Sequence, residues 1–301
     1  MNSVPAERIA ACLDQLYGQP QAAEVARQLA ELMARYPAPT TPAVETGPLS
    51  ECDALLITYA DQLSETDRAP LQTLADFAGQ HLDGIVSGVH LLPFYPWTSD
   101  DGFSVKDYFA VAPEYGTWAD VAGFRPHFEL MFDAVFNHMS AQGGWFQKFL
   151  RDEPAFRDFF VTVQGNPDLS QVVRPRALPL LTEFPTARGP EKVWTTFSAD
   201  QVDVNVKNPR VLLALVEALL CYAEHGARFI RLDAIAYLWK EIGTPCIHLP
   251  QTHAVIRLFR AVLDEVAPRV QLITETNVPH SVNISYFGDG ANEAQLVYNF
   301  A

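Results

Sequence analysis

The sequence of 301 residues lacks long apolar stretches and is poor in basic residues. No apolar run approaches the roughly 20 residues that a membrane-spanning helix needs. The N-terminal segment MNSVPAERIAACLDQLYG mixes charges into a helical pattern, so it lacks the uninterrupted apolar core of a signal peptide. Lys and Arg number 21 against 36 Asp and Glu, a formal net charge of −15, and a nucleic-acid binder would instead carry a basic stripe. We therefore expect a cytoplasmic protein that binds neither membranes nor nucleic acid.

Cysteine is also scarce and scattered. The four cysteines are Cys12, Cys52, Cys221 and Cys246, and no two of them have the spacing of metal ligands. Three of the four stand in apolar or helical surroundings. This pattern predicts reduced, structural thiols and no metal site built on cysteine.

Three kinds of segment follow one another along the chain. Residues 5–36 place apolar residues at helical spacing, and residues 37–51 are rich in Pro, Thr and Gly, which predicts helices and then a linker. Beyond residue 53, amphipathic stretches alternate with short, dense apolar runs, which predicts an α/β fold with a parallel sheet. The apolar runs cover residues 54–60, 85–94, 128–136, 227–236, 270–276 and 295–301. This alternation fits either an open doubly wound sheet or part of a barrel.

Two features favour the barrel. No run is followed by a Gly-rich loop of the dinucleotide-binding type. Polar and acidic residues gather instead at the C-terminal ends of the runs, where a barrel builds its active site. They are Tyr59, Asp61, His90, Asp133, Asn137, His138, Arg231, Asp233, Glu275 and Asn277. The interval 139–205 has few strong strand signals, which predicts a subdomain inserted after the third strand.

Two of these runs carry charges that suit acid–base chemistry. Arg231 and Asp233 are two residues apart in an apolar run, so they share one face of a strand and can pair. Glu275 ends another run, and desolvation together with a neighbouring carboxylate would raise its pKa, as a general acid requires. Taken singly, each signal also fits a structural ion pair or an exposed glutamate at the end of a strand.

Three further segments carry groups suited to sugars and anions. They contain Asp133, Asn137 and His138; Asp100, Asp101 and Phe103; and Arg174 and Arg176. Amides and carboxylates bind sugar hydroxyls, aromatic faces stack on sugar rings, and arginine forks bind phosphate or carboxylate. A core histidine, an aromatic-rich loop and a pair of surface arginines are the alternative interpretations.

The order and spacing of the motifs are more specific than any one of them. DAVFNH, RFIRLDAIA and ITETN resemble the first three signature regions of the α-amylase superfamily of retaining glycosidases and transglucosidases. LITYADQ, GVHLLPFYPWTSDDGFSVKDY, RPRALPLL, VWTTFSADQVDVN and RLDAIAYLWKEIGTPCIHLPQTH resemble its sucrose phosphorylase subfamily. ITETNVPHSVNISYFGDG and the helical N-terminal extension are similar to the members that act on glucosylglycerate.

The resemblance implies a partial (β/α)8 TIM barrel with strands one to six at 51–138 and 206–301. It also implies an N-terminal extension with a linker at 1–50 and an inserted subdomain at 139–205. Asp233 would be the nucleophile, Arg231 its partner and Glu275 the acid/base. The other implied site residues are Asp100 and His138 for the donor glucosyl, Phe103 as an aromatic platform, Arg176 for phosphate, and Gln201 and Tyr237 lining the pocket.

The implied reaction is the reversible phosphorolysis of an α-glucoside, glucosylglycerate, to glucose 1-phosphate through a covalent glucosyl-aspartate. The partners would be a small sugar substrate and inorganic phosphate, with no metal or other cofactor, and a homodimer is allowed. A sucrose phosphorylase shares the donor site and is the first alternative. A hydrolase of the same superfamily is a further one.

One family feature is absent from these residues. The fourth signature, a His–Asp pair that supplies the third catalytic carboxylate, does not occur in the 301 residues. The expectation is therefore a chain without the last barrel strands and the C-terminal domain. Such a chain would be catalytically silent and prone to aggregation, so a non-catalytic fragment is a further alternative.

Overall fold

The computed structural model describes residues 4–36 and 49–300. The strands in chain order are β1 Leu55–Thr58, β2 Gly88–Leu91, β3 Glu129–Ala134, β4 His138–Ser140, β5 Thr162–Val163, β6 Leu181–Thr186, β7 Gly189–Trp194, β8 Gln201–Asp203, β9 Ala227–Leu232, β10 Gln271–Thr274 and β11 Leu296–Val297. The α-helices are α1 Val4–Tyr17, α2 Gln21–Met33, α3 Pro70–His81, α4 Trp118–Ala122, α5 Gly144–Leu150, α6 Pro209–Glu224, α7 Pro250–Val266 and α8 His280–Asn283. Within the described ranges, no helix is both long and apolar enough to cross a membrane.

Six strands form one parallel sheet in the order β1-β2-β3-β9-β10-β11. Each of the six apolar runs contains one of these strands, so the predicted strand–helix alternation is confirmed. The helices α3, α6 and α7 lie between consecutive strands in the chain and begin with proline at their first turn, where a missing N–H costs nothing. The sheet is a partial TIM barrel, as the sequence predicts.

The run 227–236 does not form one continuous strand. β9 ends at Leu232, and Asp233 donates its backbone N–H to the carbonyl oxygen of Ala134 at 3.1 Å. Ala234 then adopts a left-handed conformation with φ 48°, which turns the chain out of the sheet. Asp233 therefore lies at the start of a turn rather than inside the strand, and its carboxyl group is at the carboxyl end of the sheet.

The segment between β3 and α6 forms two small antiparallel sheets, despite its weak strand signals. One pairs β4 with β8, and the other has the order β5-β7-β6. The strands are short, and those of the three-stranded sheet are largely half-exposed, so their sequences lack a continuous apolar run. Aromatic packing, for example between Phe146, Phe160 and Phe184, supplies their core. The boundaries at residues 51, 139 and 206 stay a prediction.

The two N-terminal helices pack on the outside of the barrel. α1 lies along α7 and α2, and α2 also contacts α6. Leu13 is fully buried, and Arg8 pairs with Asp264 of α7 at 2.5 Å. Tyr17 donates its hydroxyl to the carbonyl oxygen of Val206 at 2.8 Å. The extension is thus part of the same core as the barrel. Most of the predicted linker, residues 37–48, lies outside the described residues.

This packing predicts that Leu13→Ala destabilises the 301-residue chain by about 2–5 kcal/mol, because it leaves a cavity between α1 and the barrel. Val4→Ala in the same helix is the control, since Val4 is 71% exposed and should change stability by no more than about 0.5 kcal/mol. Urea unfolding followed by circular dichroism measures both. Equal, small effects would show that α1 is not part of the cooperative core.

Candidate functional site

A pocket of about 300 Å³ opens at the carboxyl ends of the parallel strands. Its lining consists of Tyr59, Asp100, Asp101, Phe103, His138, Arg176, Phe197, Gln201, Arg231, Asp233, Ala234 and Glu275. Eight of the nine residues predicted for the site are among them, although they come from segments up to 175 positions apart (100 to 275). The carboxyl ends of parallel strands meet at one edge of a sheet, which explains the convergence.

At the base of the pocket, buried charges form a chain of contacts. Arg231 of β9 contacts Asp133 of β3 at 2.5 Å and Asp233 at 2.9 Å through the same Nη1 atom. Asp133 is fully buried, and its other carboxylate oxygen lies 2.8 Å from Nε2 of His90. Because Asp133 is held from two sides, it fixes the guanidinium of Arg231, and Arg231 in turn orients the carboxylate of Asp233.

The pKa of Asp233 is raised to about 7. Burial is the largest cause, and the charges of Glu275 and Asp133 act in the same direction. The Arg231 guanidinium opposes them and lowers the pKa, but it does not outweigh burial. The sequence predicted a raised pKa for Glu275 and none for Asp233; the prediction for Glu275 stays a prediction, and the raised pKa of Asp233 is a finding of the structure.

Glu275 is tied directly to the turn that carries Asp233. Its Oε2 accepts the backbone N–H of Ala234 at 3.0 Å, and its own N–H donates to the carbonyl oxygen of Leu232 at 3.0 Å. The left-handed turn at Ala234 aims that N–H at the pocket. The two predicted catalytic carboxylates therefore face the same mouth.

A further wall of the pocket consists of the loop between β2 and α4 together with His138, Arg176 and Gln201. Asp100 accepts a hydrogen bond from Nε2 of Gln201 at 2.8 Å, and Nη2 of Arg176 lies 3.1 Å from both of its carboxylate oxygens. His138 donates its Nε2 proton to the carbonyl oxygen of Phe103 at 2.9 Å, and burial lowers the pKa of His138. The Arg231 guanidinium lies 5.5 Å from the centroid of the Phe103 ring. The wall thus presents carboxylate, imidazole and aromatic groups to the space above Asp233.

Tyr237 is not among the lining residues. Its ring meets that of Phe197 edge-on at 5.7 Å between centroids. Phe197 lines the pocket, and its ring lies 5.6 Å from the Arg176 guanidinium. It was not predicted as a site residue, although it belongs to the recognised motif VWTTFSADQVDVN. Tyr59 and Asp101 also line the pocket, and their only sequence signal was their place at a strand end and in the aromatic loop.

The described residues hold no cluster of metal ligands, and their thiols lie away from the pocket. No three His, Cys, Asp or Glu side chains within residues 4–36 and 49–300 are arranged to hold a metal ion. All four cysteines are free thiols and none lines the pocket; Cys52 is exposed and the other three are buried. The pocket lining holds four carboxylates, the buried Arg231 and several hydrogen-bonding groups.

Known proteins have sequences similar to that of this chain. A family model described as alpha amylase, catalytic domain, matches residues 80–301. The chain is 59% identical over 254 residues to a glucosylglycerate phosphorylase of Spirochaeta thermophila, a match that covers 84% of the chain and 43% of that protein. It is 34% identical over 266 residues to a sucrose phosphorylase of Agrobacterium vitis, covering 82% and 51% respectively.

The fold is shared as well. The crystal structure of sucrose 6F-phosphate phosphorylase from Thermoanaerobacter thermosaccharolyticum superposes with a TM-score of 0.73 and 27% identity, covering 84% of this chain and 53% of that one. The chain spans about half the length of the curated relatives it matches. The match to the family model and the identity to these relatives agree with the geometry of the pocket: the chain belongs to the α-amylase family, and the glucosylglycerate and sucrose phosphorylases are its relatives there.

Proposed function

We propose that this chain carries the donor-sugar site of a retaining phosphorylase, which splits glucosylglycerate with inorganic phosphate into glucose 1-phosphate and glycerate. The observation that carries the proposal is the pair of carboxylates at one mouth. Asp233 is held by Arg231, and Glu275 is held by the N–H of the residue after Asp233. Retaining glycosidases need two such groups, about 5–5.5 Å apart, on either side of the bond that breaks.

In the first step the ionised Asp233 carboxylate attacks the anomeric carbon. Glu275 gives its proton to the glycosidic oxygen, so glycerate leaves with that proton and the bond electrons. The glucosyl group is then esterified to Asp233. Arg231 remains paired with Asp133 throughout, so it keeps the nucleophile oriented while the charge of Asp233 is lost.

In the second step phosphate takes the place that glycerate has left. Glu275, now ionised, accepts a proton from the attacking phosphate oxygen, and the ester bond to Asp233 breaks. Two inversions at the anomeric carbon return the original configuration. Asp100, His138 and Gln201 bind the hydroxyl groups of the glucosyl unit, and Phe103 supplies an apolar face.

Phosphate has to enter a protein of net charge −15, so it needs a local cation. Arg231 already contacts two carboxylates, whereas among the residues that the structure describes Arg176 pairs with one, the partly exposed Asp100. We therefore assign phosphate to Arg176, which can exchange one anionic partner for another.

Asp233→Asn should abolish glucosyl transfer, because it removes the atom that forms the intermediate. The assay is phosphate-dependent release of glucose 1-phosphate. It is run on the 301-residue chain and on a chimera. The chimera joins to this chain the part of the Spirochaeta thermophila relative that the chain does not match. Substantial transfer with retained configuration by the variant would show that another residue forms the intermediate.

Stability provides the control for that variant. The folded-state pKa of Asp233, about 7, lies above the ordinary value of 3.8, so ionisation of Asp233 costs folding free energy that accumulates as pH rises between these values. Asparagine has no such cost. The stability of Asp233→Asn relative to the unmodified chain should therefore increase from pH 4 to pH 8 in urea unfolding, and a decrease would contradict the assignment.

Arg176→Ala should reduce phosphorolysis more than hydrolysis of an activated glucosyl donor, since water needs no cation. Loss of one positioned charge is worth on the order of 10²–10³-fold in rate. Arg174→Ala is the matched control, because Arg174 stands on the same loop and its guanidinium binds the carbonyl oxygen of Leu178 instead. Equal losses in both reactions of Arg176→Ala would make Arg176 a structural residue.

The acceptor is predicted from the relatives, since the identity to the glucosylglycerate phosphorylase is 59% and that to the sucrose phosphorylase 34%. We expect the chimera to release glucose 1-phosphate from glucosylglycerate in preference to sucrose. Initial rates on both substrates at equal phosphate decide the point. A preference for sucrose would leave the proposed donor chemistry unchanged and would contradict the prediction of glycerate as the acceptor.

A further inference from the structure

Asp200 is a hub of hydrogen bonds just outside the pocket. Its carboxylate accepts four hydroxyl groups, from Thr98 at 2.5 Å, Ser99, Ser104 at 2.8 Å and Ser140 at 3.3 Å. Its backbone carbonyl oxygen accepts the N–H of Ala141 at 2.8 Å, and the hydroxyl of Ser104 also lies 3.1 Å from this oxygen. One residue thus joins β4, the approach to β8 and the loop after β2.

Three of the four hydroxyls belong to a narrow hairpin. Trp97 and Val105 form an isolated antiparallel bridge, the N–H of Thr98 donates to the carbonyl oxygen of Ser104 at 3.1 Å, and that of Ser104 donates to Ser99 at 3.2 Å. Thr98 and Ser99 lie on one leg and Ser104 on the other. The carboxylate of Asp200 therefore ties the two legs together at their base.

The tip of this hairpin is strained. Asp100, Asp101 and Gly102 have φ angles of 56°, 50° and 98°, three left-handed residues in succession. A glycine suits the third position, where a Cβ would lie 2.7 Å from the carbonyl oxygen of Pro93. The two aspartates carry a steric cost there, which persists only when surrounding contacts fix the conformation.

The hairpin tip bears groups of the proposed donor site, and two neighbouring residues, Asp200 and Gln201, hold the hairpin at different points. Asp200 fixes the base, and Gln201 donates to the carboxylate of Asp100 at the tip. Phe103 follows the tip, and its carbonyl oxygen accepts from His138. Asp200 itself is absent from the pocket lining, so any influence it has on the sugar passes through the residues that it contacts, three of which belong to the hairpin.

We infer that Asp200 is a positioning residue of the donor site, which holds the strained hairpin so that Asp100 and Phe103 face the glucosyl unit. The link to glucosyl binding rests on the proposed function, whereas the restraint of the hairpin does not. A carboxylate suits this role, since hydrogen bonds from hydroxyls to an ionised acceptor are stronger than those to a neutral one. Burial raises the pKa of Asp200, but the hydrogen bonds from the hydroxyls outweigh burial and lower the pKa below its usual value. The group is therefore ionised at neutral pH.

The test uses Asp200→Ala, the conservative Asp200→Asn, and Asp120→Ala as the matched control. Asp120 is also a carboxylate hub, accepting from the N–H and hydroxyl of Thr117 and from Gln72, but it caps α4 and does not line the pocket. Amide hydrogen exchange is measured on the 301-residue chain. KM and kcat for phosphorolysis are measured on the chimera.

In Asp200→Ala, the amides of Thr98, Phe103 and Ser104 should exchange about tenfold faster or more, the effect of losing one charge-assisted hydrogen bond. The KM for the glucoside should rise roughly 10- to 100-fold with a smaller change in kcat. Asp200→Asn should give intermediate values, because one carbonyl oxygen remains. Asp120→Ala should leave both the hairpin amides and KM unchanged.

Unchanged exchange at the hairpin in Asp200→Ala would overturn the inference. Faster exchange with an unaltered KM in an active chimera would also overturn it, because Asp100 and Phe103 would then not depend on the restraint. If the unmodified chimera cleaves no glucoside, the proposed function fails. The exchange measurement then still decides whether Asp200 restrains the hairpin.

Discussion

The contact of Arg231 with Asp133 and Asp233 is the interaction on which the site depends. A guanidinium and a fully buried carboxylate would each be costly to bury alone, and removing one partner of such a pair leaves an uncompensated charge. The pairing joins β3 and β9 at the carboxyl end of the sheet. It also leaves Asp233 with one firm partner in a desolvated environment.

The partial barrel gives these charges their common location. Parallel strands end at the same edge, so the turn after β9 and the end of β10 bring Asp233 and Glu275 to one mouth. The left-handed turn at Ala234 links the two carboxylates locally. The N–H of Ala234 binds Glu275, and a single peptide unit connects this N–H to Asp233. The backbone geometry thus positions the two carboxylates as much as the side-chain contacts do.

The wall facing these carboxylates comes from outside the sheet. The hairpin around Asp100 and the insertion that bears Gln201 and Arg176 meet above the strands, and hydroxyl, amide and guanidinium groups hold them together. These hydrogen bonds also hold the strained hairpin tip in its conformation, for example that from Gln201 to Asp100. The pocket thus has a floor of buried charges at the strand ends and a wall of hydrogen-bonded segments from outside the sheet.

The sequence by itself determined the strand–helix alternation, the parallel sheet and eight of the nine predicted residues that line the pocket. The alternation and the sheet follow from local apolar periodicity, whereas the site residues were implied by the resemblance of the motifs to a known family. Only the tertiary structure decided that β9 stops before Asp233, that burial raises the pKa of Asp233, and that Phe197 lines the pocket while Tyr237 packs against the Phe197 ring. The role of Asp200 belongs to this second group, since its partners Thr98 and Ser104 are 102 and 96 positions away. Desolvation and hydrogen bonding across such separations depend on which segments the fold brings together, and no local pattern carries that information.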